Sequence, residues 1–535
     1  MKSNNKIGLK VRGFFSRTFS RIFSSSQSPG LALSAMVVLT GILMVIPVIY
    51  IAVRSFDNGS QRWLELLDTR IPFLLEKTLS LTLAVTLLGL LIGVILAILV
   101  VNTNLPGRRI WRWLLVIPLT IPPYVGAVSY IILLGPSGWV EGWFGSTIDV
   151  FSFPIVVLIL TGFTYPYIYL IVSASLQKIN PSFEEAGYIS GLSPLGVIRK
   201  VTIPMVRPAI GSGAILVALY IVSDFGAVAM LRYPTFTQAI YFQMGSFDRV
   251  GASIFSLILI LITLVFLYLQ YLSKRRMKFY QIDGTSKEPV LIDLGKWKTP
   301  ALLFVGTVFG LFAAIPIAVL LYWSGIAVAS GVIDSRFFQF TMNSFTAAAI
   351  TSALCLVFAL PLIYVKTRFS SVLSRMVDVI SYLSYALPGV IVALGVIFIF
   401  INYLPFMYGT IAMLIMAYMM RFLPQSLQST ESSMGQVSPK IDEAALSLGR
   451  RPVQVLNQVI LRLIQPGMIA SFSLVFVSVI KELPATLLLR PAGFDTLSVR
   501  VWIETSDGFY AMAAPSALLI IIISILPIRW VMNKY

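Results

Sequence analysis

Asn180-Pro181-Ser182-Phe183-Glu184-Glu185-Ala186-Gly187-Tyr188-Ile189-Ser190-Gly191 is a short polar stretch between long apolar runs, and it has a counterpart 258 residues further along the chain. There Ser438-Pro439 opens, Asp442-Glu443 and Ala444 follow, Gly449 takes the place of Gly191, and Pro452 that of Pro194. Asn180 is a good N-cap and Pro181 a good first helical residue. The paired acids sit close to the positive end of the helix dipole, and Gly191 suits a stop because it adopts positive φ freely. Ser193-Pro194 then starts a second short helix, so each copy predicts a helix–glycine–helix element. The same offset relates Pro208 to Pro466, Asp224 to Glu482, Ala227 to Ala485 and Arg232 to Arg490. Glycine and proline are the strongest local punctuators, so their shared spacing marks an internal repeat. Further upstream the offset drifts, as changes in loop length would cause.

The surrounding composition decides the class. The 535 residues are 57% hydrophobic and 12% charged, with a mean hydropathy of +0.88, whereas a soluble domain is roughly 45–50% apolar and about 25% charged. Soluble, disordered, fibrous and disulfide-stapled classes are excluded, which leaves an all-α polytopic membrane protein. A spanning helix needs about 20 mostly apolar residues. Twelve such stretches are present, near 31–53, 78–101, 111–134, 153–176, 208–231 and 251–273, then 300–323, 343–365, 377–401, 406–428, 466–489 and 513–532. Cys355 is the sole cysteine, so no intramolecular disulfide forms. The absence of histidine excludes His-ligated zinc or haem and a Ser-His-Asp triad. No phosphate loop of the GxxxxGK[ST] type is present, so nucleotide energy would have to come from another chain.

The net charge of +18 would point to nucleic acid in a soluble protein. With the N-terminus placed in the cytoplasm, however, the cytoplasmic segments and the span ends next to them hold 29 Lys and Arg against 10 on the outer side, and Arg421 lies deep within a span. That split is a positive-inside signal, so the basic excess reports topology, with both termini cytoplasmic, and the partner is the bilayer, not nucleic acid. Residues 1–30 carry six basic and no acidic residues. Phe15, Phe19, Ile22 and Phe23 there share one helical face opposite Arg17 and Arg21, which fits an amphipathic helix on the membrane surface, although a disordered basic tail fits equally. The apolar run from Leu31 to Val53 is too long for a cleaved signal peptide.

Six spans separate the two polar copies, so both face the cytoplasm and the repeat is parallel. The expected organisation is a basic segment at 1–30, a first six-helix repeat at 31–273 with its loop at 180–204, a linker at 274–299 containing Gly284-Thr285-Ser286, and a second repeat at 300–535 with its loop at 438–462. Taken singly, each loop reads as a capped surface element joining two spans. As a matched pair they suit docking of two matching partner subunits. Asp224 and Glu482 are symmetry-related acids near the outer end of the fifth span of each half, and an ionisable residue at membrane depth is a functional candidate by default. The competing reading pairs Asp224 with Arg232, and Glu482 with Lys481 or Arg490, for structure alone. Tyr165, Tyr167 and Tyr169, and the methionines 407, 413, 416, 419 and 420, read as packing rather than metal ligands. Arg421 reads as snorkelling to the cytoplasmic face, in preference to stabilising an anionic group in the pathway.

The pattern Glu-Ala-Ala, three residues, Gly, nine residues, Ile-x-Leu-Pro resembles the cytoplasmic loop of binding-protein-dependent ABC importer permeases. The first copy carries it as Glu185, Ala186, Gly187, Gly191, Val201, Ile203 and Pro204. The second carries it as Glu443, Ala444, Ala445, Gly449, Val459 and Leu461, with Arg462 in place of the last proline. The segments Ser223–Tyr233 and Lys481–Pro491, with Phe236–Tyr241 and Phe494–Leu497 after them, resemble the fused permeases of ferric-iron importers. The resemblance implies a type I importer permease of about twelve helices in a prokaryotic plasma membrane, the inner one in a two-membraned cell. It implies that Glu185, Ala186 and Gly191, with Glu443, Ala444 and Gly449, couple to two copies of an ABC ATPase, which uses the ATP. It also implies an external or periplasmic binding protein as partner, Fe3+ as cargo, and no catalysis, tightly bound cofactor or stable metal site in the permease. Thiamine, polyamine and phosphonate importers share the layout. A secondary transporter driven by an ion gradient also accommodates twelve spans and two repeats, but it leaves the duplicated loops unexplained.

Overall fold

A computed structural model describes residues 30–57, 59, 61–136, 138–145, 148–275, 291–331, 333–369, 372–383, 387–450 and 452–532. The proposed amphipathic face around Phe15 and Phe23, and the Gly284–Ser286 part of the linker, lie outside the described residues. Apart from an isolated parallel bridge between Thr103 and Ile292, the described regular structure is helical. This follows from the solvent, because a chain in hydrocarbon must satisfy its backbone polar groups within each segment.

Seven described helices are individually long and apolar enough to cross a membrane, rising to nine if each sharply bent pair counts as one span. Several predicted spans are longer than their apolar runs, such as Ile71–Asn102, Arg249–Arg275 and Ser335–Arg368. Others are broken. The third divides into Arg108–Leu114, a turn at Ile117–Thr120, and Pro123–Leu134, because Pro118, Pro122 and Pro123 cannot donate to a continuous ladder. The ninth divides into Val372–Leu383 and Gly389–Tyr403, which Pro388 precedes. The fifth stops at Ser223 and resumes as Gly226–Met230. The eleventh stops at Ile480 and resumes as Pro484–Leu489. Both candidate pathway acids therefore stand at breaks, not within continuous helices.

The uniformly apolar helices still have two faces. In Ile71–Asn102, Leu74, Leu81, Val85, Ile92 and Leu96 are buried, while Leu83, Leu87 and Leu91 form an exposed stripe at a spacing of four residues. That stripe suits lipid.

The chain forms two compact units that do not follow the sequence repeats. One unit takes the first helix up to Tyr50 together with 342–494, and the other takes 51–341 with 495–534. In the first unit Pro47, inside the first helix, fills a notch at Gly395, and Tyr50 stacks on Phe398 at 3.8 Å. In the second unit Phe312 fills a notch at Gly162, the Tyr130 hydroxyl donates to the Leu311 carbonyl at 2.6 Å, and Trp323 meets Tyr510 at 6.0 Å. The first helix is thus packed among helices of the second repeat, whereas the leading helix of the second repeat packs both on helices of the first repeat and on the final helix Tyr510–Met532 of its own. A ring seated against a bare glycine backbone excludes any larger residue there.

Candidate functional site

The two matched polar loops adopt the same local structure. Ser182–Ile189 and Pro439–Ser447 are helices, and Asn180 Oδ1 accepts from the Ser182 amide at 3.1 Å. Gly191 and Gly449 end them at φ +78° and +81°. Just beyond, the amide of Leu192 donates back to Gly187 and that of Arg450 to Ala445, at 3.1 and 3.2 Å, so both carbonyl ends are closed the same way. A π-turn follows each, Ile198–Thr202 and Leu456–Ile460. The departure from alanine at Gly187 has a packing reason: a Cβ there would come within 3.2 Å of Val197.

Glu185, Ala186, Glu443 and Ala444 are all exposed, as are Gly191 and Gly449. Beside them stand the apolar Ile189, Leu195 and Leu448, at 88%, 74% and 85% exposure. The neighbouring acids behave differently. Glu184 is buried and accepts from Asn102 Nδ2 at 3.1 Å and from the Thr202 hydroxyl at 2.8 Å. Burial pushes its carboxyl up, against the Thr202 hydrogen bond that lowers it. Asp442, its counterpart, is buried against Arg368, with Nε at 2.7 Å and Nη2 at 3.4 Å, and Arg368 Nη2 also donates to the Val437 carbonyl at 3.0 Å. Each loop helix is therefore hung from the end of a long membrane helix by the acid that precedes the exposed glutamate. One anchor is a set of hydrogen bonds and the other an ion pair. Sequence patterning did not single out these anchors, although two acids in tandem at both copies was the available signal.

The end of the linker is attached at the same place. The Ile292 amide donates to the Asn102 carbonyl at 2.8 Å, and the Asn104 amide donates to the Ile292 carbonyl at 3.1 Å. Asn104 Nδ2 also donates to Asp293 at 2.6 Å, and Lys298 pairs with Asp293 at 3.3 Å. The Asn104 hydrogen bond, then the Gly295 amide and Lys298, hold the Asp293 carboxyl below its ordinary value.

Asp224 and Glu482 both serve the helix breaks. Asp224 Oδ1 accepts from the amides of Ala227 and Val228, at 3.1 and 3.2 Å, and caps the helix Gly226–Met230. Arg232 lies over the Phe151 ring at 4.9 Å. Glu482 is buried, and its Oε1 accepts from the Ala485 amide at 3.1 Å. Its Oε2 pairs with Arg421 Nε at 3.1 Å. This corrects the snorkelling reading of Arg421, whose charge is neutralised within the protein instead of reaching the cytoplasmic surface. Asp224 and Glu482 belong to different compact units.

The tyrosines pack as expected. Tyr165 is buried with its hydroxyl on the Leu115 carbonyl at 3.0 Å, Tyr167 packs on Tyr220 at 5.5 Å, and Tyr169 is buried. Met413 and Met420 are buried as well. Among the described residues, no three His, Cys, Asp or Glu side chains converge as a metal site.

Residues 89–279 and 359–532 each match the family described as binding-protein-dependent transport system inner membrane component. The chain is 32% identical over 516 residues to the Fe(3+)-transport system permease protein FbpB 2 of Haemophilus influenzae, covering 95% of this chain and 99% of that protein. It is 22% identical over 439 residues to the ferric transport system permease protein FbpB of Actinobacillus pleuropneumoniae, covering 77% and 64%. The sulfate transport system permease protein CysW of Escherichia coli is 26% identical over 249 residues, covering 45% of this chain and 86% of that protein. With the family matched in both halves and a relative aligned along almost its whole length, the chain belongs to the binding-protein-dependent transport system inner membrane components, as a fused permease with two copies of the domain.

Proposed function

We propose that this chain is the permease of an ATP-driven importer for ferric iron. The observation that carries the cargo is the near full-length similarity to a Fe(3+)-transport permease. An external binding protein delivers the iron, and two copies of an ATPase dock at Glu185–Gly191 and Glu443–Gly449. The paired exposed helices support that docking, because each offers one acid and one or more apolar side chains on a rigidly anchored element. ATP binding draws the ATPases together, and the loop helices pass the motion to the membrane helices, which switch between inward-open and outward-open states. The permease makes and breaks no covalent bond in this scheme. Asp224 and Glu482 contribute by holding the broken helices in shape.

The test is uptake of radiolabelled ferric iron into proteoliposomes that hold the permease and its ATPase, with the binding protein outside. Uptake that requires ATP is expected. ATP-dependent uptake of sulfate, thiamine or a polyamine in place of iron would keep the importer and discard the cargo. Glu443→Ala is expected to reduce uptake while ATP hydrolysis continues without responding to the loaded binding protein. Normal coupling in that variant would refute the docking assignment.

A further inference from the structure

The two repeats hold one register along the contact between the fourth and fifth spans of each half. Pro166 and Pro424 lie 258 residues apart inside the helices Phe153–Leu176 and Ile411–Met434. In the second half this contact is a ladder of polar rungs. Ser433 fills the space a Cβ would take at Gly467. The hydroxyls of Ser426 and Ser471 meet at 2.7 Å, Arg421 Nε pairs with Glu482 Oε2 at 3.1 Å, and the hydroxyls of Tyr418 and Thr486 meet at 2.6 Å. At the same offset the first half has Ile168 and Gly213 for Ser426 and Ser471, Phe163 for Arg421, and Leu160 and Val228 for Tyr418 and Thr486. Ile168 packs into Gly213, and Phe163 fills the notch at Gly126 as Arg421 fills the one at Gly389. Ser433 keeps a serine at its place, Ser175, but at the other three rungs the first half is apolar where the second is polar with a charged pair.

The charged rung is incompletely satisfied. Arg421 Nη1 is buried against Gly389 and has no acceptor among the described residues. A guanidinium ordinarily meets a carboxylate through two parallel bonds, and a buried cation with an unmet donor is a poor static fastener. Polar pairs between membrane helices also hold them only weakly. Polar rungs do permit exchange of partners when one helix shifts, whereas Ile168 is packed closely against both Gly93 and Gly213 and loses those contacts if its helix moves. The helix carrying Arg421 ends at Met434, only four residues before the loop helix Pro439–Ser447.

We propose that Arg421 is a positioning residue that latches the loop helix of the second half to the break after Ile480, closing on Glu482 in one state of the transport cycle and releasing it in the other. The first half, with Phe163 in the equivalent place, keeps its contact throughout. This rests on the importer reading above.

The experiment uses the full chain with its ATPase in lipid nanodiscs. Thermal unfolding is followed for the wild type, Arg421→Gln, Glu482→Gln and the double variant, first without nucleotide and then with ATP held by a hydrolysis-deficient ATPase. The expected result is a non-additive shift in Tm in one state that vanishes in the other. In proteoliposomes, iron taken up per ATP should fall about tenfold in Arg421→Gln, within the span of ordinary coupling between sites, and Arg421→Lys should recover part of it. Equal non-additivity in both states overturns the latch and leaves a static ion pair. If the neutral variants do not assemble, Arg421→Lys and Glu482→Asp go through the same cycle with the same criterion. Failure of the wild-type chain to bind an ATPase at all overturns the importer reading and the latch with it.

Discussion

Glu184 and Glu185 are chemically identical neighbours with different work, because helix geometry turns one toward Asn102 and Thr202 and the other outward. Burial raises the carboxyl of Glu184 above its unfolded value, so the fold prefers its neutral form. The stabilisation from that preference is complete below the ordinary glutamate range and is lost as pH rises through the raised value. Amide exchange of residues 182–189, corrected for its intrinsic pH dependence, is therefore expected to be slower on the acid side and to quicken as the pH rises. Glu184→Gln should flatten that profile. An equally steep profile in the variant would assign the effect to another group. The acids were visible in the sequence as a tandem at both copies, but which of each pair is buried depends on what lies beneath the helix.

At the scale of elements, the two loop helices share one fold and differ in how they are held. Pro439–Ser447 hangs on the buried Arg368–Asp442 pair, and breaking such a pair by removing one partner costs about 3–5 kcal/mol. Arg368→Ala is therefore expected to quicken amide exchange across 439–447 by several orders of magnitude, while residues 182–189 keep their protection. The measurement is hydrogen exchange on the purified protein in nanodiscs, and unchanged protection at 439–447 would show that the pair is not the anchor. The helix–glycine–helix plan was legible from proline, paired acids and glycine because local chemistry sets it. The anchors were not, since Asn102 and Arg368 lie 82 and 74 residues from the acids they hold. The helix breaks at Asp224 and Glu482 were likewise hidden inside runs read as continuous, because hydropathy does not register where a backbone ladder stops.

For the molecule as a whole, the positive-inside distribution is the basis for expecting both termini in the cytoplasm, and it can be tested directly. Reporter fusions that fluoresce only in the cytoplasm are expected to be active after Tyr535 and before Met1, and phosphatase fusions that need an oxidising exterior should be active in the segment 231–251. Phosphatase activity at either terminus would invert the topology and move both loop helices away from an internal ATPase. The family matches cover both halves, and the parallel arrangement needs only an even number of spans between them. The compact units, however, cut across the repeats: the first helix joins 342–494, while the leading helix of the second repeat and its last segment, 495–534, join 51–341.

What the sequence by itself determined is the class, the repeat and the local plan of the loops, because composition and the backbone preferences of proline and glycine act at short range or by summation. What only the tertiary structure decided is which apolar face meets protein and which meets lipid, which repeat each leading helix packs into, and which charge answers Glu482. Those outcomes rest on notches such as Gly162, Gly389 and Gly395, filled by Phe312, Arg421 and Pro47 from distant parts of the chain. Close packing selects such partners by shape, and shape complementarity between residues tens to hundreds of positions apart leaves no periodic trace in a string of leucines and isoleucines.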